Sequence, residues 1–125
     1  MSAASHLIFV YGTLKRGCSN HHVLADQQLL GEARTVSGYR LHHLGDYPGM
    51  IAAPDDTTGV AGEVWSVDTA TLARLDAFEG TAEGLYRREP IKLLPPFAPQ
   101  TVDTYLYAQS VENRPVISTG LWSEL

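Results

Sequence analysis

A short helical segment that ends in a carboxylate places the strongest constraint on what this chain can fold into. Asp68 is a favourable N-cap and Gly80 a favourable C′ residue, so the sequence predicts a helix over residues 69–79. At about 100° per residue, Glu79 lies within about 20° of Leu72 on the helix surface, on the apolar side that the core should cover. The segment therefore predicts an acidic side chain turned toward the protein interior.

The position of Glu79 has a chemical consequence. Removal from water disfavours a charged carboxylate, and the negative end of the helix macrodipole disfavours it further. Both effects raise the pKa of a carboxyl group, and a general base or acid that works near neutral pH needs a raised pKa. Position alone leaves open the alternative that this glutamate, like many at helix ends, simply reaches solvent.

Composition limits the class of protein. A chain of 125 residues with 44% hydrophobic and 18% charged residues is expected to form one globular domain, residues 1–125. Its net charge of −5, with no Lys/Arg cluster longer than a pair, argues against a nucleic-acid partner. The chain has no run of about 18 apolar residues, so we expect no membrane span. Without a recognisable signal peptide, and with Cys18 as the single cysteine, a reducing cytoplasm is the expected compartment.

A glycine-containing loop follows the first predicted strand. The apolar, partly β-branched run at residues 6–10 indicates a buried strand, and it leads directly into Tyr11-Gly12-Thr13-Leu14. A glycine at this point lets the backbone turn sharply and present its N–H groups, which can hold an anion. A plain turn is the alternative. Lys15 and Arg16 either add positive charge to such a site or are solvated.

The other segments indicate strands separated by turns. Broken strands are predicted within residues 29–44, and further strands at residues 50–53, 60–67, 85–94 and 101–108. A brief helix is predicted from Ser19 or Asn20 to Leu24 or Asp26. One face of the last strand carries Tyr105 and Tyr107, and Trp122 is expected to attach the tail to the body of the domain. The predicted fold class is α+β: a small mixed β-barrel or curled sheet with one principal helix and a short helix.

The histidines do not indicate a metal site. They occur as neighbours, His21 with His22 and His42 with His43, without the i, i+4 spacing of helical metal ligands. Neighbouring side chains point in different directions, so we expect no metal.

Three sequence segments together resemble a known family. They are Tyr11-Gly12-Thr13-Leu14, Leu75-Asp76-Ala77-Phe78-Glu79-Gly80 and Leu85-Tyr86-Arg87. In this order and spacing they resemble the γ-glutamyl cyclotransferase-like family, and more closely its small branch, which includes γ-glutamylamine cyclotransferase. The turn Tyr47-Pro48-Gly49 is also similar to that branch. The resemblance covers nearly the whole chain and implies a small β-barrel with helices, a cavity near the barrel and no cofactor.

The resemblance also implies roles for individual residues. Glu79 would be the catalytic acid/base, and the loop of Tyr11, Gly12, Thr13 and Leu14 would bind the glutamyl part of the substrate. The reaction converts a small γ-glutamyl compound into 5-oxoproline and a free amine, because the α-amine attacks its own side-chain carbonyl. Such intramolecular attack can account for about 7–11 kcal/mol of the barrier.

Several points stay open at this stage. A hydroxyl of Tyr86 or Tyr107 is a candidate donor to the tetrahedral oxyanion, although both residues also suit the core or the rim of a pocket. Residues 46–50 and 81–84 are expected to shape the far side of the pocket. A non-catalytic binding module and a hydrolase of a related small amide are the alternative functions. The departing amine and the oligomeric state are not readable from the sequence.

Overall fold

Two β-sheets and one principal helix form the part of the chain that the computed structural model describes, residues 5–124. The strands are β1 (Ser5–Val10), β2 (Gln28–Arg34), β3 (Tyr39–His43), β4 (Pro48–Ala52), β5 (Ala61–Asp68), β6 (Tyr86–Ile91), β7 (Val102–Tyr107) and β8 (Val116–Ile117). The helix α1 (Thr69–Phe78) follows β5, and a single 3₁₀ turn (His21–Leu24) follows the loop after β1. None of these helical elements is long and apolar enough to cross a bilayer.

The larger sheet has the strand order β2-β5-β1-β7-β6, and the smaller one has the order β4-β3-β8. Strand β1 pairs antiparallel with β5 and parallel with β7, so the sheet is mixed. Ile8 and Phe9 of β1 are fully buried and belong to different apolar clusters, one on each face of the sheet. This double burial explains the continuous apolar run of β1, because a strand covered on both faces needs no polar alternation.

The predicted α+β class with curled sheets is confirmed, but the predicted β-barrel is wrong. Within residues 5–124 the strands β2 and β6 remain the two edges of the larger sheet, which does not close on itself. A barrel requires its first and last strands to pair. Strand β2 is interrupted by a β-bulge, where the register with β5 shifts between Leu29 and Gly31, in agreement with the broken strands predicted within residues 29–44.

The helix α1 has the predicted caps. The Asp68 carboxylate accepts a hydrogen bond from the Thr71 N–H at 2.7 Å, which satisfies one of the free donors at the helix start. The helix ends at Phe78, with Glu79 as the C-cap and Gly80 at a φ of +67° that glycine adopts without strain. The buried side of α1 packs on the same apolar cluster as Ile8. The predicted helix is therefore confirmed, to within one residue at its end.

Two other elements differ from the sequence-based expectation. The brief helix is a 3₁₀ turn, and the Asn20 side chain does not cap it. That side chain donates instead to the Thr13 hydroxyl at 3.0 Å. The short strand β8 in the tail was not predicted. Trp122 is buried and its carbonyl accepts a hydrogen bond from the Lys15 Nζ at 2.6 Å, so the tail is attached as expected.

Gly62 should be intolerant of any side chain. A Cβ at this position of β5 would overlap the Val10 carbonyl oxygen and lie 2.7 Å from the Phe9 Cζ. We expect Gly62→Ala to lower the free energy of unfolding by about 1–3 kcal/mol, since overpacking forces the paired strands apart. Urea denaturation measures this, with Ser66→Ala on the same strand as the control. An unchanged midpoint would show that β1 can move aside at no cost.

Candidate active site

A cavity of about 270 Å³ lies where β1 ends, beside the C-terminal end of α1 and the turn between β3 and β4. This volume is close to the lower end of the range for small-molecule sites, about 300–1,000 Å³. Six of the seven site residues proposed from the sequence line it: Tyr11, Gly12, Thr13, Leu14, Glu79 and Tyr86. The lining also includes Asp46, Tyr47, Pro48, Phe78, Leu85 and Tyr105.

Glu79 is partly buried and lines the cavity directly after the last turn of α1. Its backbone N–H donates to the Leu75 carbonyl at 2.8 Å, which fixes the residue to the helix end. No hydrogen bond joins its carboxylate to another of residues 5–124. Desolvation raises the pKa of this carboxyl from 4.5 to about 7. Near neutral pH the group is therefore present in both protonation states, as a proton-transfer residue requires.

The raised pKa of Glu79 predicts a pH-dependent cost to stability. Between about pH 4.5 and 7 the folded chain binds the proton more tightly than the unfolded chain does, so stability falls as the pH rises through this window and levels off above it. The cost at high pH is on the order of 3 kcal/mol. Glu79→Gln removes the titrating group. The free energy of unfolding of the variant, relative to that of the wild type, should therefore rise by up to this amount from pH 4.5 to pH 8.

Urea denaturation at the two pH values gives the measurement. Glu83→Gln, which removes an exposed carboxylate four residues away, is the matched control and should show no such gain. If the free energy of unfolding differed between Glu79→Gln and the wild type by the same amount at both pH values, a desolvated Glu79 carboxyl would be contradicted.

The loop after β1 offers a set of free backbone donors. Its carbonyl groups are occupied: that of Gly12 accepts from the Lys15 N–H at 3.1 Å, that of Thr13 from the Asn20 N–H at 2.9 Å, and that of Leu14 from the His21 Nδ1 at 3.0 Å. The N–H groups of Gly12, Thr13 and Leu14 have no acceptor among residues 5–124. Three successive unpaired N–H donors in residues that line a cavity are an arrangement that can bind an anion.

Gly12 is required here for space. The backbone does not have a positive φ at this position, but a Cβ would lie 2.8 Å from the Pro48 Cγ and 3.0 Å from the Pro48 Cδ. The proline ring of the β3–β4 turn therefore packs directly on the loop. Only a residue without a side chain allows that approach.

No basic side chain among residues 5–124 lines the cavity. Its lining includes two carboxylates, Asp46 and Glu79, and no Lys, Arg or His. Lys15 is buried against the Trp122 carbonyl, and the Arg16 Nε donates to the Glu63 carboxylate at 3.0 Å. Neither of these two cations lines the cavity, so an anion bound there has no basic side chain among residues 5–124 to pair with.

Three of the four tyrosines that line the cavity already engage their hydroxyls as donors, whereas the Tyr47 hydroxyl donates to no acceptor among residues 5–124. The Tyr11 O–H donates to the Tyr105 carbonyl at 2.6 Å, and the Tyr86 O–H donates to the Pro48 carbonyl at 2.7 Å. The Tyr105 O–H donates to the Asp76 carboxylate at 2.7 Å. Burial raises the pKa of all three phenols, which keeps them neutral.

Tyr107 does not line the cavity. Its ring packs edge-on against Tyr86 with the ring centroids 5.3 Å apart, so it supports a cavity residue from behind. Tyr105, on the same face of β7, lines the cavity instead and was missed as a site residue. Of the predicted segment 46–50, residues 46–48 border the cavity and residues 49–50 do not. Residues 81–84 do not border it either, and Leu85 takes their place.

Comparison with known proteins identifies the family. Residues 8–124 match the family model described as "Gamma-glutamyl cyclotransferase, AIG2-like". The chain belongs to this family. The resemblance stated from the sequence motifs is thereby confirmed, and the chain is an enzyme of the γ-glutamyl cyclotransferase type.

Individual members of the γ-glutamyl cyclotransferase family match over most of the chain. A protein of Vibrio cholerae described as a putative γ-glutamylcyclotransferase is 41% identical, over 95% of this chain and 96% of its own length. A γ-glutamylaminecyclotransferase of Rattus norvegicus is 39% identical over 69% of this chain and 62% of its length. The solution structure of the Escherichia coli protein YtfP has the same fold, with a TM-score of 0.70, 38% identity, and coverage of 94% of this chain and 96% of that one.

Proposed function

We propose that this enzyme cyclises the γ-glutamyl group of a small γ-glutamyl amine or γ-glutamyl peptide to 5-oxoproline and releases the free amine, with Glu79 as the acid/base. The observation that carries the proposal is the cavity shared by a carboxyl with a pKa of about 7 and three unpaired backbone N–H donors. The name of the rat relative, which refers to γ-glutamylamines, supports the same reaction class.

The N–H groups of Gly12, Thr13 and Leu14 suit the α-carboxylate of the glutamyl group. A substrate carboxylate needs donors, and the cavity has no basic side chain to supply them. Charge-assisted hydrogen bonds from backbone N–H groups to a carboxylate are among the stronger ones in proteins. Anchored in this way, the glutamyl chain would place its α-amine in the half of the cavity that Glu79 borders.

Glu79 then has two proton transfers to perform. As the carboxylate, it accepts a proton from the α-ammonium group, which frees the nitrogen lone pair for attack on the γ-carbonyl carbon. The new C–N bond closes a five-membered ring, and the C–N bond to the departing amine breaks. Glu79 returns the proton to that amine as the bond breaks. The released amine then takes up the second proton of the ring nitrogen, which leaves the lactam with one N–H, and the enzyme ends the cycle in its starting state.

The developing oxyanion also needs donors. Tyr86 is unsuited to this task while its proton is held by the Pro48 carbonyl. A better candidate is the Thr13 hydroxyl, which accepts a hydrogen bond from the Asn20 side chain and donates to no acceptor among residues 5–124. Together with a loop N–H group, it would form the oxyanion hole that acyl transfer requires.

Product analysis tests this proposal. The purified chain is incubated with γ-glutamyl amides and γ-glutamyl dipeptides, and the products are followed by NMR. We expect 5-oxoproline and the free amine in equal amounts. Free glutamate in place of 5-oxoproline would identify a hydrolase. Saturable binding with no product after long incubation would identify a binding module, and either result would overturn the proposal.

A further inference from the structure

A buried carboxylate lies beside the loop after β1, outside the cavity. Glu63 of β5 is only 6% exposed and does not line the cavity. Burial by itself would raise the pKa of this carboxyl, but hydrogen bonds from Arg16 and Trp65 outweigh it and hold the pKa below its usual value. The group is therefore charged near neutral pH. A buried charge is costly unless it is well paired, so its partners indicate what it does.

Arg16 supplies two of the three hydrogen bonds to Glu63. Its backbone N–H donates to the Glu63 Oε1 at 3.1 Å, and its Nε donates to the Oε2 at 3.0 Å. Val10, which directly precedes the loop, is the strand partner of Glu63 in β1. The loop is therefore held at Glu63 both where it begins and where it ends. The bond from the Arg16 N–H matters most, since it fixes the main chain, whereas the ion pair of an exposed guanidinium adds little.

A second path leads from Glu63 to the loop through two aromatic rings. The Trp65 Nε1 donates to the Glu63 Oε1 at 3.1 Å, which orients the indole. The His21 ring packs against the Trp65 ring, with the ring centroids 5.3 Å apart. His21 in turn donates from its Nδ1 to the Leu14 carbonyl at 3.0 Å. Glu63 thus supports the loop at Leu14 as well as at its end.

We propose that Glu63 is a positioning residue, which holds residues 11–16 in the conformation that presents the N–H groups of Gly12, Thr13 and Leu14 to the cavity. This inference rests on the proposed cyclisation, in which those donors bind the α-carboxylate of the substrate. Glu63 itself touches neither the substrate nor the reacting atoms. A loop that is already ordered loses less conformational freedom on binding. Release of the loop should therefore weaken carboxylate binding rather than slow proton transfer.

Steady-state kinetics with γ-glutamyl methylamide gives the first test. Glu63→Met keeps the length of the side chain and removes both acceptor oxygens, so we expect KM to rise about tenfold with kcat within about twofold of the wild type. Glu63→Gln keeps one acceptor for the Arg16 N–H and should raise KM about threefold. A merely structural defect would lower kcat, because fewer molecules are active, and would leave KM unchanged. Glu32→Gln removes an exposed carboxylate 3.9 Å from the Arg16 Nη2 and is the matched control, with both constants unchanged.

A matched pair of ligands tests whether the loss concerns the carboxylate. 5-Oxoproline and 2-pyrrolidinone share the lactam ring, and only the first carries the carboxylate. NMR titration of the wild type should show tighter binding of 5-oxoproline, with shifts of the Gly12, Thr13 and Leu14 amide signals. Glu63→Met should reduce the affinity ratio of the two ligands about tenfold and leave the Kd of 2-pyrrolidinone nearly constant. Glu63→Gln should reduce the ratio about threefold and carries the test if Glu63→Met fails to fold.

The outcomes separate this inference from the function on which it rests. If the wild type forms 5-oxoproline and the folded Glu63 variants keep its KM, the inference is wrong and the proposed function stands. Equal loss of affinity for 5-oxoproline and 2-pyrrolidinone would show a general loosening of the cavity and would also overturn the inference. Absence of 5-oxoproline from every γ-glutamyl compound would overturn the proposed function, and the inference with it.

Discussion

Glu79→Gln is expected to lower kcat for 5-oxoproline release by about 10²–10⁴-fold, the usual contribution of a positioned acid/base residue. Glutamine keeps the size of the side chain and its place at the end of α1, but it can neither accept the proton of the α-ammonium group nor return one to the departing amine. Substrate affinity should change little, because in the proposed mechanism the loop after β1, and not Glu79, binds the α-carboxylate. The loss should therefore be in kcat, with KM nearly constant.

Glu83→Gln is the control, since Glu83 is exposed and does not line the cavity. It should retain the wild-type rate. The wild-type kcat should also fall at acidic pH, where Glu79 is protonated and cannot accept a proton. A Glu79→Gln variant that forms 5-oxoproline at the wild-type rate would exclude this residue as the proton carrier, even if the chain proved to be a cyclotransferase.

Gly12→Ala should have the second-largest effect. The added methyl would lie 2.8 Å from the Pro48 Cγ, so either the loop after β1 or the β3–β4 turn must move. A shift of about 1 Å in a substrate-positioning group can reduce the rate on the order of 10²-fold. Here we expect much of the loss to appear as a higher KM, since the displaced N–H groups are those proposed to bind the α-carboxylate. Steady-state kinetics with a γ-glutamyl amide measures it.

Pro48→Ala tests whether the contact itself is responsible. Alanine at position 48 removes the Cγ and Cδ that the new methyl would meet, and keeps the carbonyl that accepts the Tyr86 hydrogen bond. The double variant should recover most of the activity lost in Gly12→Ala, a non-additivity expected for residues in direct contact. Equal losses in the single and double variants would show that Gly12 is required for another reason.

The sequence pattern predicted those elements whose structure is set by residues close together in the chain. Asp68 and Gly80 predicted where α1 begins and ends, and the helical period predicted that Glu79 lies on its inward side. Both predictions succeeded because they depend only on residues within and next to the helix. The apolar run of β1 predicted a buried strand for the same reason. These elements position Glu79 at the cavity, so the place of the proposed acid/base residue was predictable.

Contacts between distant segments were not predictable from pattern. Gly12 was expected to serve a sharp turn, whereas its actual constraint is a proline ring 36 positions further along the chain. Whether a curled sheet closes depends on the pairing of its edge strands, which alternation within each strand does not encode. Similarly, the period of β7 placed Tyr105 and Tyr107 on one face but could not show which of them reaches the cavity.

The hydroxyl of Tyr11 joins the two sheets immediately before the loop. It donates to the Tyr105 carbonyl in the larger sheet and accepts from the Met50 N–H in the smaller one, at 2.6 and 3.2 Å. The loop that begins at the next residue, and that we propose binds the α-carboxylate, is thus attached through Tyr11 to both sheets without any substrate. A preorganised binding loop of this kind loses little conformational freedom when a ligand binds. Sliding of one sheet against the other would deform it, so turnover should depend on a rigid scaffold rather than on closure around the ligand.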